Sequence, residues 1–165
     1  MKITDVHVEH YRWPKAKPIA NGKHTYTHND LNLLVIDTDE GITGLGESGA
    51  WGFLEASAQA MITMSEYLIG KDPLDIEHHW QYLYRFSHFR GAAGLGAMSA
   101  IDNAPYDISG KYFHVPVYRL LGGKCRDKVR VYNHTAGRTE EELAANAIKG
   151  VEQGYTALGH LNPYL

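Results

Sequence analysis

Side chains able to do chemistry gather in a few stretches of this sequence. Residues 15 to 30 read KAKPIANGKHTYTHND, a polar run rich in lysine, histidine and asparagine. Pro14, Pro18 and Asn21-Gly22 argue against regular structure there, so the run is expected to be a loop. A polar loop of that length inside a compact domain usually carries function or motion. Further on, Gly44-Leu45-Gly46-Glu47-Ser48-Gly49 spells G-x-G-x-x-G directly after a strand. That spelling binds a dinucleotide only when it follows the first strand of a βαβ unit, with an acidic residue ending the next strand. Here the preceding strand is the return arm of a hairpin, and a helix around Glu66 follows, so nucleotide binding is set aside. Asp102 and Asp107 are too far apart around one helix to make a catalytic pair, and packing hydrogen bonds suit them better. His78-His79 are adjacent on a helix and face different ways, a poor metal pair. Cys125 has no His and Asn at useful spacing and does not read as a nucleophile.

The elements that must position these groups can be read from hydrophobic period. Ile3 to Trp13 alternates as a strand, with Ile3, Val6, Val8 and Tyr11 among polar residues. Leu31 to Asp37 is a second strand, Asp39-Glu40-Gly41 a tight turn, and Ile42 to Glu47 the returning arm. The three form an antiparallel meander. Helical spacing then runs from Phe53 to Ile69, stopped by Gly70. Leu74 to Phe89 is a second helix with an aromatic stripe of Trp80, Tyr84 and His88. A glycine-rich stretch, Gly91 to Gly96, leads into a third helix, Ala97 to Tyr112, which carries Pro105. A short turn of helix covers Pro116 to Leu121. A new pattern then begins: a strand at Val129 to Asn133, a helix opened by Thr139 and Glu142 as a capping box, and a strand at Thr156 to Leu161. Leu143, Ala147, Ile148 and Val151 are expected to line the packed face of that helix. Strand, helix, strand is one βαβ unit, and such a unit needs more parallel strands to bury its faces. The chain therefore reads as one cut inside a larger α/β domain.

Composition narrows the function classes. With 165 residues, 44% apolar and 21% charged, the chain is globular and needs no staple to fold. A single cysteine and a polar N-terminus suggest a reducing, cytoplasmic setting. Sixteen basic against 19 acidic residues, net charge −3, argue against nucleic acid, and no apolar run approaches a membrane span. A small-molecule binder is the class that remains.

Several phrases in this order carry a resemblance. MKITDV, LLVIDTDEGITGLGES, AMSAIDNAPYDISGKYFHVPVYRLLGG and KVRVYN resemble the mandelate racemase/muconate lactonizing enzyme group of the enolase superfamily. The match is most specific at Asp39-Glu40-Gly41, Gly44-x-Gly46-Glu47, Ser99-Ala100-Ile101-Asp102 and Leu120-Leu121-Gly122-Gly123. The resemblance implies an α+β capping domain, a three-stranded antiparallel meander plus helical bundle, over residues 1–126. Residues 127–165 would then be the first two strands and first helix of a (β/α) barrel of the TIM type. It also implies abstraction of a proton next to a carboxylate with Mg²⁺ as cofactor. The family's metal-binding carboxylates come from the third to fifth barrel strands, so the ligands are expected beyond residue 165 and none is assigned within it.

On the second barrel strand the sequence departs from the family's lysine pattern. Anchoring on Tyr155 to Leu158 turns Gly159 and Leu161 inward, whereas anchoring on Pro163 turns His160 and Asn162 inward. Strict alternation permits only one pair. Both remain open; His160 and Asn162 are the candidate catalytic residues. The loops after the first and third strands close over substrate in the family, which implicates Lys17, Asn21, Lys23, His24, Tyr26 and His28 from the first and Trp51 from the second. A wall of donors suits a polyhydroxy acid better than an apolar acid. The resulting expectation is the N-terminal part of an aldonate or aldarate dehydratase, homo-oligomeric when complete, with the 165 residues alone inactive. A racemase or cycloisomerase of the same superfamily, and a truncated chain without catalysis, are the alternatives.

Overall fold

The computed structural model describes residues 1–21, 24–49, 52–86, 88–89 and 91–163, excepting the side chains of Asn21 and residues 160–163. In chain order its elements are β1 (Ile3–Asn21), β2 (His24–Thr38), β3 (Thr43–Ser48), α1 (Leu54–Ser65), a 3-10 turn (Glu66–Leu68), α2 (Ile76–Phe86), α3 (Ala92–Tyr112), α4 (Val117–Leu120), β4 (Asn133–Gly137), α5 (Glu140–Glu152) and β5 (Leu158–Pro163). They divide into two compact units. The first is Met1–Pro14 with Asn29–Gly123; the second is Lys15–His28 with Lys124–Leu165.

The first unit is the α+β capping fold expected from the meander and helical periods. Its sheet has the order β1-β2-β3, and β2 and β3 run antiparallel from Asn32↔Ser48 to Asp37↔Thr43. The turn between them holds Gly41 at φ +73, where a side chain would be strained, and Thr38 Oγ1 donates to the Ile42 carbonyl at 2.8 Å. Leu34 and Ile36 of β2 are buried against Met61 and Leu68, and against Ala97, Ala100, Ile101, Ala104 and Ile108 of α3. Those α3 positions recur at helical spacing, so one stripe of small and branched side chains faces the sheet.

That stripe also explains the glycine pair that spelled a nucleotide motif. A Cβ on Gly46 would sit 2.7 Å from the Ala100 carbonyl carbon, and one on Gly44 would sit 2.6 Å from Ile108 Cγ1. The glycines let α3 lie directly on β3. Polar anchors fix the same contact: Leu45 N donates to Asp107 Oδ2 at 3.0 Å, and Lys111 Nζ reaches Asp107 Oδ2 at 2.8 Å and the Thr43 carbonyl at 2.6 Å. Asp107 is thus a packing residue.

Several boundaries differ from the sequence reading. The run from 15 to 30 is not a loop: β1 continues to Asn21 and β2 starts at His24. Pro14 and Pro18 are tolerated because β1 is an edge of its sheet, where an absent N–H need break no ladder bond. α3 begins at Ala92 and takes in Gly94 and Gly96, because burial of Ala97, Met98 and Ile101 outweighs a glycine penalty of about 1 kcal/mol each. α2 is shorter than expected, ending at Phe86.

In the second unit, α5 connects the parallel strands β4 and β5. Thr139 is its N-cap and accepts from Glu142 N at 3.2 Å, while Glu142 Oε2 accepts from Arg138 N at 2.7 Å. Thr139→Ala should therefore cost about 1 kcal/mol, read as a lower urea midpoint for the complete protein. The first barrel strand falls four residues later than expected, and Val129 and Val131 are exposed. Alternation misled here because the face of β4 toward α5 carries Asn133, Thr135 and Gly137. A Cβ on Gly137 would lie 2.7 Å from Leu143 Cα, so a large apolar residue cannot fit. Ile148 and Val151 of α5 are each 60% exposed rather than packed; Gly150, with its neighbours Asn133 and Leu158, takes the contact instead. The strand expected from Thr156 spans Leu158–Pro163.

Candidate functional site

The residues proposed from the sequence to meet a substrate fall on the distal part of the β1–β2 pair and on β5. Lys17 lies on β1, and on β2 His24, Tyr26 and His28 alternate, so these three share one strand face; the side chain of Asn21 lies outside the described residues. Lys17, His24 and Tyr26 are exposed. The His24 and Tyr26 rings lie 6.4 Å apart, and Thr27 Oγ1 is 2.9 Å from His28 Nδ1. This segment, residues 15–28, groups with the barrel segment in the second unit. Lys23 and Trp51 lie outside the described residues.

On the barrel strands the register alters the terms of the two-anchor problem. His134 pairs with Gly159 and Ala136 with Asn162, so two steps on β4 match three on β5. The extra residue interrupts the alternation that made the two anchorings mutually exclusive. His160 lies within the irregular stretch and Asn162 is back in register. On β4, Asn133, Thr135 and Gly137 face α5, which leaves His134 and Ala136 on the opposite, exposed face. His134 stacks on Tyr132 with ring centroids 5.1 Å apart, and a Cβ on Gly159 would meet the Tyr132 ring at 2.6 Å. His134 was not singled out from sequence. The signal was available: a histidine alternating with Thr135, which packs inward, just before the Gly137 contact.

The residues of β4 and β5 include no aspartate or glutamate, so the barrel segment does not fit a magnesium site by itself. Among the described residues, Asp5, His7 and Asp37 bring ligand atoms within 4.8 Å of one another, but on the meander of the first unit and largely exposed. Within the group His7 Nδ1 is 3.2 Å from Asp5 Oδ2, and Thr43 Oγ1 donates to Asp37 Oδ1 at 2.5 Å.

His79 and Asn32 are packing residues of the first unit. His79 is buried, with Nε2 2.7 Å from the Asp72 carbonyl and its ring edge-on to Tyr67 at 5.7 Å. His78, its neighbour, is exposed, so the two do not form a metal pair. Asn32, fully buried and unnoticed in the sequence, joins β1, β2 and α1: its Oδ1 lies 2.5 Å from His10 Nδ1 and its Nδ2 donates to the Leu54 carbonyl at 2.6 Å. Burial, with the Glu77 carboxylate second, holds the Asp102 carboxyl above its ordinary range. The neutral form is thus favoured in the fold, and that stabilisation is present in acid and lost as pH rises through the raised value. Asp102→Asn should therefore raise the denaturation midpoint near pH 7 and change it little at about pH 2.5, well below the ordinary carboxylate value, where the carboxyl is neutral both folded and unfolded. Equal gains at both pH values would show that charge is not the cause.

A family model described as "Mandelate racemase / muconate lactonizing enzyme, N-terminal domain" matches residues 3–122. A D-galactonate dehydratase of Pectobacterium atrosepticum is 44% identical over 124 residues, covering 74% of this chain and 32% of that protein. A D-mannonate dehydratase of Caulobacter vibrioides is 43% identical over 128 residues, covering 76% and 32%. The chain thus spans about a third of the length of these curated relatives. Among solved structures, an enolase from Pantoea ananatis with bound D-gluconate and Mg superposes with a TM-score of 0.80 at 35% identity, covering 97% of this chain and 36% of that one. A member of the enolase superfamily from Polaromonas sp. JS666 gives 0.80 at 32% identity, covering 96% and 43%. Among the described residues, no helix is long and apolar enough to cross a membrane.

Proposed function

The chain belongs to the mandelate racemase/muconate lactonizing enzyme family, and on that premise we propose that it is the N-terminal part of a metal-dependent sugar-acid dehydratase. The observation that carries this reading is the pair of relatives, acting by name on D-galactonate and D-mannonate, that match three-quarters of the chain. The donor-rich end of the β1–β2 pair supports it. Lysine, histidine, asparagine and tyrosine side chains can satisfy the carboxylate and hydroxyls of an aldonate or aldarate, each of which would lose about 1–3 kcal/mol if left unpaired.

On this reading, residues 1–126 cap the site and residues 127–165 begin the barrel. The reaction removes the proton from the carbon beside the carboxylate and expels the neighbouring hydroxyl as water, leaving a 2-keto-3-deoxy acid. Mg²⁺ would supply charge stabilisation next to that carboxylate, and its ligands belong to barrel strands beyond residue 165. This chain's own contribution is to bind and orient: Lys17, Asn21, Lys23, His24, Tyr26, His28 and Trp51 hold the acid, and His160 and Asn162 supply polar groups from the second barrel strand. By the same argument, the 165 residues alone lack the metal carboxylates and are inactive. A cytoplasmic homo-oligomer completes the reading.

The test is to incubate the complete protein with Mg²⁺ and D-galactonate, D-mannonate or D-gluconate, and to follow 2-keto acid formation. Product from at least one of these acids is expected. Racemisation or cycloisomerisation without loss of water would transfer the chain to another activity of its family. An intact mass of 18.5 kDa for the natural product, the mass of these residues alone, would favour a chain without catalysis.

A further inference from the structure

Even-numbered residues of β2 share one strand face, and burial along that face is graded. Leu34 and Ile36 are buried against the helices, Asn32 beside them is fully buried, and Asp30 is partly exposed. His28, Tyr26 and His24 follow on the same face. The pairing of β2 with β3 ends at Asn32↔Ser48, so beyond Asn32, among the described residues, only β1 accompanies β2. A two-stranded ribbon twists more than a wider sheet and is marginal without support. Polar contacts gather where the sheet narrows. Asn32 Nδ2 donates to the Leu54 carbonyl at 2.6 Å, at the start of α1, which fixes the amide's orientation and makes Oδ1 the acceptor for His10 Nδ1 at 2.5 Å. His10 Nε2 lies 3.6 Å from Asp30 Oδ1, and Arg12 Nε 3.5 Å from the same oxygen.

A leucine at position 32 would continue the apolar face of Leu34 and Ile36 and bury more apolar surface than an amide does. A satisfied buried amide instead fixes one arrangement, because its bonds demand particular partners in particular directions. We propose that Asn32 and His10 are positioning residues. The series from the Leu54 carbonyl through Asn32, His10 and Asp30 to Arg12 sets the twist with which the β1–β2 ribbon leaves the sheet, and thereby the placement of His24, Tyr26 and His28. Asn32 supplies the anchor on α1. His10 is the bridge, since its two ring nitrogens reach β2 residues two positions apart from the neighbouring strand. The inference rests on the proposed reading of those three donors as contacts of the acid.

Residue-resolved amide exchange on the complete protein, set beside steady-state kinetics, tests the proposal. His10→Ala should speed exchange at residues 24–28 about tenfold, the loss of one hydrogen bond, and leave residues 97–108 of α3 unchanged. Asn32→Leu, which keeps the branching of the side chain, should do the same. His10→Asn, whose amide nitrogen takes the place of Nδ1, should stay within about twofold of the parent. In turnover, His10→Ala should raise KM for the sugar acid about tenfold with kcat little changed, and His10→Asn should restore it. Unchanged exchange at residues 24–28 in both His10→Ala and Asn32→Leu overturns the proposal, and His10→Ala remains decisive if Asn32→Leu does not fold. Equal acceleration at residues 97–108 also overturns it, because the network would then serve stability alone. So does faster local exchange with KM unchanged. If the parent turns over no acid, the proposed activity fails, and exchange alone decides whether the network holds the ribbon.

Discussion

Gly46→Ala is expected to unfold the capping domain or leave it barely folded, at a cost of about 3 kcal/mol or more. The added methyl would meet main chain: it would sit 2.7 Å from the Ala100 carbonyl carbon and 3.0 Å from its Cα. A flexible side chain could swing aside, but a helix backbone cannot. Relief would require α3 to lift from β3, and that contact is held toward the C-terminal end of α3 by the Asp107 and Lys111 anchors and lined by Ala97, Ala104 and Ile108. Gly41→Ala is the control. Gly41 has positive φ, and an alanine methyl there would meet nothing within 4 Å, so its cost is conformational only, about 1 kcal/mol. Urea titration of the complete protein followed by far-UV circular dichroism separates the two. Equal midpoints for the two variants would show that close approach of helix and sheet is not what Gly46 provides.

How much of this was legible in the sequence depends on what packs against each segment. Where a segment buries a conventional apolar face, its element could be read: β2 through Leu34 and Ile36, α3 through Ala97, Ile101 and Ile108. The N-cap of α5 could be read because Thr139 and Glu142 act locally, with no tertiary context needed. β4 could not, because its packed face is Asn133, Thr135 and Gly137, chosen for closeness to α5 rather than for hydrophobicity. The β1–β2 pair was misread for a related reason. Proline and polar side chains signal a loop only when the backbone must be paired on both sides, and an edge strand need not be.

The candidate site was legible by residue type and only partly by position. His24, Tyr26 and His28 could be named, and their strand spacing now shows that they share a face of β2. Asn32 could not be found, because a buried asparagine inside an apolar run looks like an interruption until its bonds to His10 and Leu54 are seen. The choice between inward pairs on β5 was posed as an alternation problem. The register shift between His134 and Ala136 removes that premise, since an extra residue changes the parity of everything after it.

If the complete protein has the proposed dehydratase activity, replacing Lys17 and His24 together with alanine should lower kcat/KM for the sugar acid about 100-fold, chiefly through KM. The size follows from two lost donors at about 1–3 kcal/mol each, taken near the lower end because both side chains are exposed in this structure. KM should carry the effect because groups that grip the distal hydroxyls or the carboxylate bind ground state and transition state alike. Stability should hardly change: Lys17 and His24 belong to the extended arms outside the apolar core, so the urea midpoint offers an internal control. Lys23→Ala combined with His24→Ala should act in the same direction. The sharper comparison is between substrates. A shortened acid lacking the distal hydroxyls should lose little on substitution, because the parent enzyme gains little from these donors with it. Equal losses for long and short acids would place the two side chains away from the hydroxyl chain. Unchanged kinetics with both would remove the β1–β2 end from the substrate site.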